Sequence, residues 1–344
     1  MNKYITLSLV FLFALTLRVE AGNPDRQGEA GAYELLMNPW ARSSGLHGMV
    51  TANVRGVEAM RINVAGLAYT KKTELVFSRS NYLQSSGVHF NAFGLSQRLG
   101  KKGVLGLSLM AIDFGEIDIT TTEQPDGIGA TYKPSFFNLG VAYAYQFSER
   151  ISGGVTIRLI SEAAANVSTN GIAFDAGIQY ATGNVKLGIS LRNVGTPMQF
   201  GGDALSTPAE SSNGNQITLN YGASRFELPS TLNIGASYDI KFAEDVHRVT
   251  LMANFTSNTF SKDQYGGGLE YSLKDQFMVR VGYKYEDGLL DEAERTNVYT
   301  GLSAGATIEL PVKKGSETTI GIDYSYRSTD PFDGTHSFGV RLAL

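Results

Sequence analysis

The sequence predicts an all-β fold: a transmembrane antiparallel up-and-down β-barrel of about fourteen strands, preceded by an N-terminal plug segment. Three observations carry this. From Ser135 to Leu159, Phe137, Leu139, Val141, Tyr143, Tyr145 and Phe147 sit at every second position, with Asn138, Gly140, Ala142, Ala144 and Gln146 between them. After Ser148-Glu149-Arg150 the alternation restarts at Ile151. Side chains on a strand alternate between its faces, so this run has one apolar and one small or polar face, at membrane-spanning length. Second, short connections alternate with mostly longer ones, the two-sided asymmetry of bacterial barrels. Third, 39 glycines, 17 tyrosines and 18 phenylalanines among 344 residues, with 18% charged residues, suit many strands and turns better than helices.

The chain divides into three parts. Lys3, the apolar run Ile5 to Leu17, and Val19-Glu20-Ala21 read as a cleaved signal peptide over residues 1–21, with Gly22 as the mature N-terminus. The run is too short to span a bilayer as a helix, so export to the Gram-negative outer membrane is the expected address. Residues 22–69 alternate poorly and are broken by Pro39, Gly45 and Gly48. They are expected to form short helical or irregular pieces that plug the pore or lie under its periplasmic mouth. Residues 70–344 form the barrel.

Within the barrel the alternation marks strands near 73–82, 86–98, 103–114, 134–147, 151–162, 170–181 and 184–194. The second half continues near 228–240, 247–258, 264–273, 276–286, 296–310, 318–327 and 336–344. The turns after the second, fourth, sixth, eighth, tenth and twelfth strands are short. The alternate set, including 115–133, 163–169, 195–227, 287–295 and 328–335, is mostly longer. Phe338, Val340, Leu342 and Leu344 alternate to the last residue, as a strand that closes the cylinder against the first would. The inward set is rich in Gly, Ala, Ser and Asn, which points to a narrow or filled interior rather than an open porin.

The N-terminal segment carries a resemblance. Asn38-Pro39-Trp40-Ala41-Arg42-Ser43-Ser44-Gly45-Leu46-His47-Gly48 is similar to the A-R-S-x-G-M-G-G stretch of the PorV/PorQ family. Asn63-Val64-Ala65-Gly66-Leu67-Ala68 resembles the N-P-A-G-L-A preceding the first strand in that family and in the wider FadL-like transporters, with Val64 at the proline. The resemblance implies a fourteen-stranded FadL-like barrel and directs attention to Trp40, Arg42, Asn63 and Gly66 in the plug. It further implies a non-enzymatic component or partner of type IX protein secretion or surface attachment in Bacteroidota. The partners would be a large translocon barrel or other outer-membrane complex, exported proteins, and the surrounding outer-membrane lipid. The alternative implied by FadL itself, which moves long-chain fatty acids, is transport of hydrophobic small molecules.

Other chemistry is sparse. With 29 Lys plus Arg against 33 Asp plus Glu, the net charge of −4 gives no case for nucleic acid. There is no cysteine, hence no disulfide or thiolate site. No cofactor is indicated. Gly301-Leu302-Ser303-Ala304-Gly305 matches a hydrolase elbow in letters, but it lies inside an alternating run, where Ser303 is expected to be a lumen-facing strand residue. The four histidines lack ligand spacing, and the acidic stretch 286–294 lacks EF-hand spacing. The longest loop, 195–227, is the candidate partner-binding loop, with Met198, Phe200, Leu205 and Phe226 as its apolar anchors. Folding the loop onto the barrel rim is the competing role for the same residues.

Overall fold

The computed structural model describes residues 22–313 and 316–344; the expected signal peptide lies outside them. The first three strands are β1 (Thr73–Tyr82), β2 (Val88–Leu99) and β3 (Gly103–Asp113). A small hairpin follows, β4 (Ile117–Asp118) with β5 (Thr131–Tyr132). Then come β6 (Ser135–Gln146), β7 (Ile151–Ala164), β8 (Val167–Thr182) and β9 (Val185–Gly195). A second hairpin, β10 (Ser206–Glu210) with β11 (Gln216–Asn220), interrupts the wall. The chain finishes with β12 (Thr231–Phe242), β13 (His247–Asn258), β14 (Gln264–Leu273), β15 (Phe277–Glu286), β16 (Tyr299–Pro311), β17 (Thr319–Thr329) and β18 (Thr335–Ala343). Fourteen of these strands close an antiparallel barrel, and the two hairpins stand outside it.

Closure is made by β1 against β18, in register from Glu74 opposite Ala343 to Asn81 opposite His336. No sheet edge is left in the wall, so every backbone polar group that would face lipid has a neighbouring strand to bond. Alternation sorts the side chains as expected. On β7, Val155, Ile157 and Leu159 are exposed on the outer face, while Thr156, Arg158 and Ile160 are buried on the inner one. Ser303 lies within β16, buried on the lumen side, and its hydroxyl donates to the Gly282 carbonyl at 3.3 Å.

Two places break the pairing. Between Phe174 and Ala176 the β8/β9 register shifts, and between Tyr299 and Ser303 the β16/β17 register shifts. The connection between β7 and β8, expected to be one of the longer ones, is a tight turn at Ala165-Asn166, with Ala165 in the left-handed region (φ 50°). Its polar flank continues the ladder instead of leaving it: Ala164 pairs with Val167, and Ser168 bridges to Gly201.

Residues 22–72 run through the lumen. They enter at the long-loop mouth, where Asn23 N–H donates to the Asn258 carbonyl at 3.3 Å and Gly31 N–H to the Glu227 carbonyl at 3.1 Å. They leave at the short-turn mouth, where Arg98 donates to the Ala68, Thr70 and Lys71 carbonyls, at 2.8 Å to each of the first and last. Between lie single helical turns, among them Tyr33–Leu36, Ala41–Ser44, Gly56–Glu58, Ala59–Ile62 and Val64–Tyr69. The main apolar core is supplied chiefly from this side. Leu46, Val50, Val54, Met60, Ile62, Val64 and Leu67 of the plug meet Val104, Ala142, Ala144 and Met252 of the wall.

Candidate functional site: a plugged lumen with two cavities

Small inward residues make room for the plug. At Gly188 on β9 an added Cβ would stand 2.3 Å from the Thr51 carbonyl oxygen, and at Gly177 on β8 it would stand 2.1 Å from Asn63 Oδ1. Neither position could carry a side chain with the plug where it is.

The four plug residues picked out by the resemblance fix the plug's conformation. Trp40 is buried against Val57, Val76 and Ala92. Asn63 accepts from Ala65 N–H at 3.2 Å, capping the Val64–Tyr69 turn. Its amide donates to the Thr51 carbonyl at 2.9 Å in the plug and to the Ile178 carbonyl at 3.1 Å in the wall. One side chain thus fastens three pieces of backbone, so its cost of burial is met. Gly66 lies so close to Val54 that a Cβ would meet its carbonyl oxygen at 2.1 Å. Arg42 reaches the wall, with Nη1 3.7 Å from Glu309 and Nη2 3.2 Å from Met278 Sδ.

The plug divides the lumen into two cavities. The one at the short-turn mouth, about 610 Å³, is lined by charge: Arg42, Glu58, Glu74, Glu270, Arg280 and Arg341 are among its walls. These groups are largely paired. Arg280 Nε lies 3.1 Å from Glu270, and Arg341 Nη2 lies 2.7 Å from Asp323. Deeper in the wall, Arg158 lies 2.8 Å from Asp175 and also donates to the Met60 carbonyl at 3.0 Å. Asp175 sits at the β8/β9 irregularity and accepts from Asn193 N–H at 2.7 Å. A charge-lined chamber of this kind favours water over an apolar solute.

The cavity at the long-loop mouth is different. Its volume is about 360 Å³, within the range of small-molecule sites. Tyr33 and Leu36, on one helical turn of the plug, are its two large apolar side chains left exposed, at 39% and 37%. They face a chamber also lined by Met37, Met49, Ile62, Tyr82, Phe260 and Tyr299. Four cations, Arg61, Arg192, Lys284 and Arg327, share this lining with one carboxylate, Glu286. Arg61 is spent holding the plug, donating to the Met37 carbonyl at 3.0 Å and to the Glu34 carbonyl. Arg327 is not: its guanidinium lies 4.9 Å over the Tyr299 ring, and its Nε and Nη2 are buried without a hydrogen-bond partner among the described residues.

His47 closes the chamber floor, with Nε2 3.2 Å from the Leu302 carbonyl. Burial, and then the charges of Lys284 and Arg327, push its imidazole well below the usual histidine range. It is therefore neutral at physiological pH and adds no charge to the chamber. Leu46 and His47, consecutive residues, line opposite cavities, so the plug at this point is a single layer of chain.

The anchors of the long loop turn inward. Met198 is buried with Leu35, Ile160, Ala173 and Leu228, Phe226 packs on that cluster, and Phe200 lies 5.7 Å from Phe226. Leu205 is half-buried at the base of the β10–β11 hairpin. These residues hold the loop to the rim and to the plug. The apolar residues this loop exposes are Ile217, Leu219 and Tyr221, which the sequence reading passed over. Ile217 and Leu219 alternate on the five-residue strand β11 and Tyr221 continues the period just past it, which was the available signal. In the acidic stretch 286–294, Glu286 accepts from Gln264 at 2.8 Å and from Thr296 at 3.0 Å. Among the described residues no three acidic or histidine side chains converge on a common point there.

No protein-family model matches the chain, and neither does any curated protein sequence. Among solved structures it is similar to the toluene transporter TodX of Pseudomonas putida, at 13% identity over 89% of this chain and 97% of that one, with a TM-score of 0.55. It is similar as well to the toluene transporter TbuX of Ralstonia pickettii, at 12% identity over 89% of this chain and 98% of that one, TM-score 0.55. A FadL homologue of Pseudomonas aeruginosa aligns at 14% identity over 89% and 96%, TM-score 0.49. At these identities the likeness is one of fold, which in this chain is a closed barrel of fourteen antiparallel strands.

Proposed function

We propose that the protein is an outer-membrane transporter of hydrophobic small molecules, and that it takes best those with an anionic end. The observation that carries this is the long-loop chamber. It gathers Tyr33, Leu36, Met37 and Tyr299 in one chamber with the Arg327 guanidinium, which among the described residues has no hydrogen-bond partner for Nε and Nη2, on the outer side of a plug one chain thick. Apolar side chains with polar groups converging among them give a small-molecule site its affinity and orientation. Here the polar groups are the four cations, Glu286 and neutral side chains such as Asn233, Asn254 and Thr256. An anion there would supply the hydrogen bonds that Arg327 lacks. The fold shared with two toluene transporters supports the same reading.

The test is uptake by cells that display the barrel at equal surface levels. A labelled long-chain carboxylate and labelled toluene are supplied in parallel. Faster entry of the carboxylate, slowed about tenfold by Arg327→Gln, is the expected result for loss of a charge-assisted hydrogen bond. Entry of neither compound above the level of barrel-free cells would overturn the proposal.

A second reading is favoured by two observations. The stretches 38–48 and 63–68 resemble PorV/PorQ, and the β10–β11 hairpin offers Ile217, Leu219 and Tyr221 to a protein partner. On this reading the barrel serves type IX secretion or surface attachment. A mild-detergent pull-down of the tagged protein should then recover a very large translocon barrel or exported cargo; recovery of the barrel alone would remove this reading.

A further inference from the structure

The outer wall carries a feature that neither transport nor export uses. Eleven lysines and arginines lie on the fourteen barrel strands, and ten of them are in phase with the lumen-facing residues. Arg79 alone stands in phase with the lipid-facing residues Leu75 and Phe77, and it is exposed. An outward arginine is costly at the bilayer midplane and nearly free at the headgroup level. Its neighbours show which applies.

The register sets out the outer surface row by row. Across β17, β18, β1 and β2, the row nearest the long loops reads Tyr326, His336, Asn81, His89. The row beneath reads Tyr324, Phe338, Arg79, Asn91. The next reads Ile322, Val340, Phe77, Phe93, continued on β3 by Leu109, and is wholly apolar. Polar groups thus begin at Arg79 and extend to the strand ends, which places the patch at the boundary between hydrocarbon and headgroups. Two of the four histidines in the chain meet there with the one outward arginine and two tyrosines.

The patch is knitted together. Arg79 Nη1 lies 3.4 Å from Asn91 Oδ1, His89 Nδ1 3.0 Å from Asn81 Oδ1, and Tyr324 OH 2.9 Å from His336 Nδ1. Both Nδ1 atoms are taken, which leaves each ring's Nε2 as the nitrogen for a ligand. The Tyr326 ring backs His336 at 5.1 Å. The first row continues on β3 with Asp113, opposite His89, and that carboxylate is itself paired with Lys133 at 3.0 Å. Among the described residues no carboxylate pairs with Arg79, so its charge is free to meet an anion.

We propose that this surface is a docking site for the phosphorylated headgroup of an outer-leaflet lipid, with Arg79 the principal phosphate ligand and His89 and His336 flanking it. Charge complementarity and depth choose the occupant. The patch borders the acyl-chain region, so a phosphate attached to acyl chains can bury its tails on Phe77, Phe93 and Val340 while its head meets Arg79. The inference rests on strands that cross the membrane with the long loops outward, and not on what the lumen carries.

The experiment titrates the purified protein in mild detergent with diphosphoryl lipid A and counts bound lipid by native mass spectrometry. The doubly substituted Arg79→Gln, His336→Gln chain is expected to bind about tenfold more weakly than the unaltered chain. Lys101→Gln with Lys102→Gln, at the short-turn end, should bind like the unaltered chain. Arg79→Lys keeps the charge and should retain most of the binding, which separates ligand loss from misfolding. Equal binding by the Arg79→Gln, His336→Gln chain would overturn the proposal. So would displacement of the lipid by inorganic phosphate alone, because the ligand would then be a free anion rather than a lipid.

Discussion

At the residue scale the lumen is governed by close approach. That the inward set is rich in glycine was legible in the sequence; that one of them, Gly188, faces the Thr51 carbonyl was not, since the contact joins residues far apart along the chain. Gly188→Ala puts a methyl 2.3 Å from backbone that cannot rotate away. A destabilisation of about 1–3 kcal/mol is expected for such overpacking, read as a lower unfolding midpoint, with the barrel still formed. Glu58 gives a second prediction. Its carboxylate accepts from Ser43 N–H at 3.0 Å in full burial, and that burial raises its pKa above the ordinary value of 4.5. Arg341 and Arg42 pull it down, and Asp323 adds to the rise. The sign follows: the folded state holds this proton more tightly than the unfolded one, so the contribution is fully favourable below the ordinary pKa and is lost as pH rises through the raised one. Glu58→Gln keeps the acceptor and removes the titration. It should stabilise the chain near pH 8 and change little near pH 4, in thermal unfolding measured across that range.

At the element scale, what could be read and what could not divide along one line. Strands β1, β13 and β14 lie where the alternation placed them, because period-two burial between lipid and plug leaves one answer for each register. The path of the plug was less legible. Its turns are three to six residues long and have no period of their own; contacts with many different strands set its course. Asn63 and Gly66 were recognisable as a motif, yet the motif's work, capping one turn while pinning two other pieces of backbone, shows only in three dimensions. Entry of the plug from the long-loop mouth was not foreseen, since Arg26 meets Glu227 at 2.9 Å across 201 residues of chain. This arrangement yields a prediction about motion. A Cβ at Gly94 would lie 3.5 Å from Val57 Cβ, at the near end of the roughly 3.5–4.5 Å that a disulfide needs. The chain has no cysteine of its own, so Val57→Cys with Gly94→Cys offers a single pairing. Oxidation should bond plug to wall, visible as a mobility change on a non-reducing gel, and stop solute uptake; reductant should restore it. Undiminished uptake by the oxidised protein would show that solute passes a stationary plug.

At the scale of the whole molecule, wall and plug divide the labour of stability. The wall is held by a closed ring of backbone ladders, and its lumen face is polar: Ser78, Ser96, Ser108, Thr156, Ser190, Ser303 and Ser337 are buried there beside the Arg158–Asp175 and Arg341–Asp323 pairs. The apolar residues of the main core come mostly from residues 46–68. A barrel of this kind needs no apolar filling to close, because closure satisfies the backbone and lipid covers the outer face. Without the plug the lumen would be lined by hydroxyls and paired charges, all of which water can solvate, so it should fill with electrolyte. A chain lacking residues 22–69 is therefore expected to insert as a folded barrel and to give large, stable current steps in planar bilayers, where the intact chain passes little current. Arg158→Ala in that plugless barrel should cost far less stability than in the intact one. Burial makes an unpaired Asp175 worth about 3–5 kcal/mol, and water in the lumen would relieve most of that. Equal costs in the two backgrounds would mean that the pair is buried by the wall itself, and that the plug is not what keeps the lumen dry.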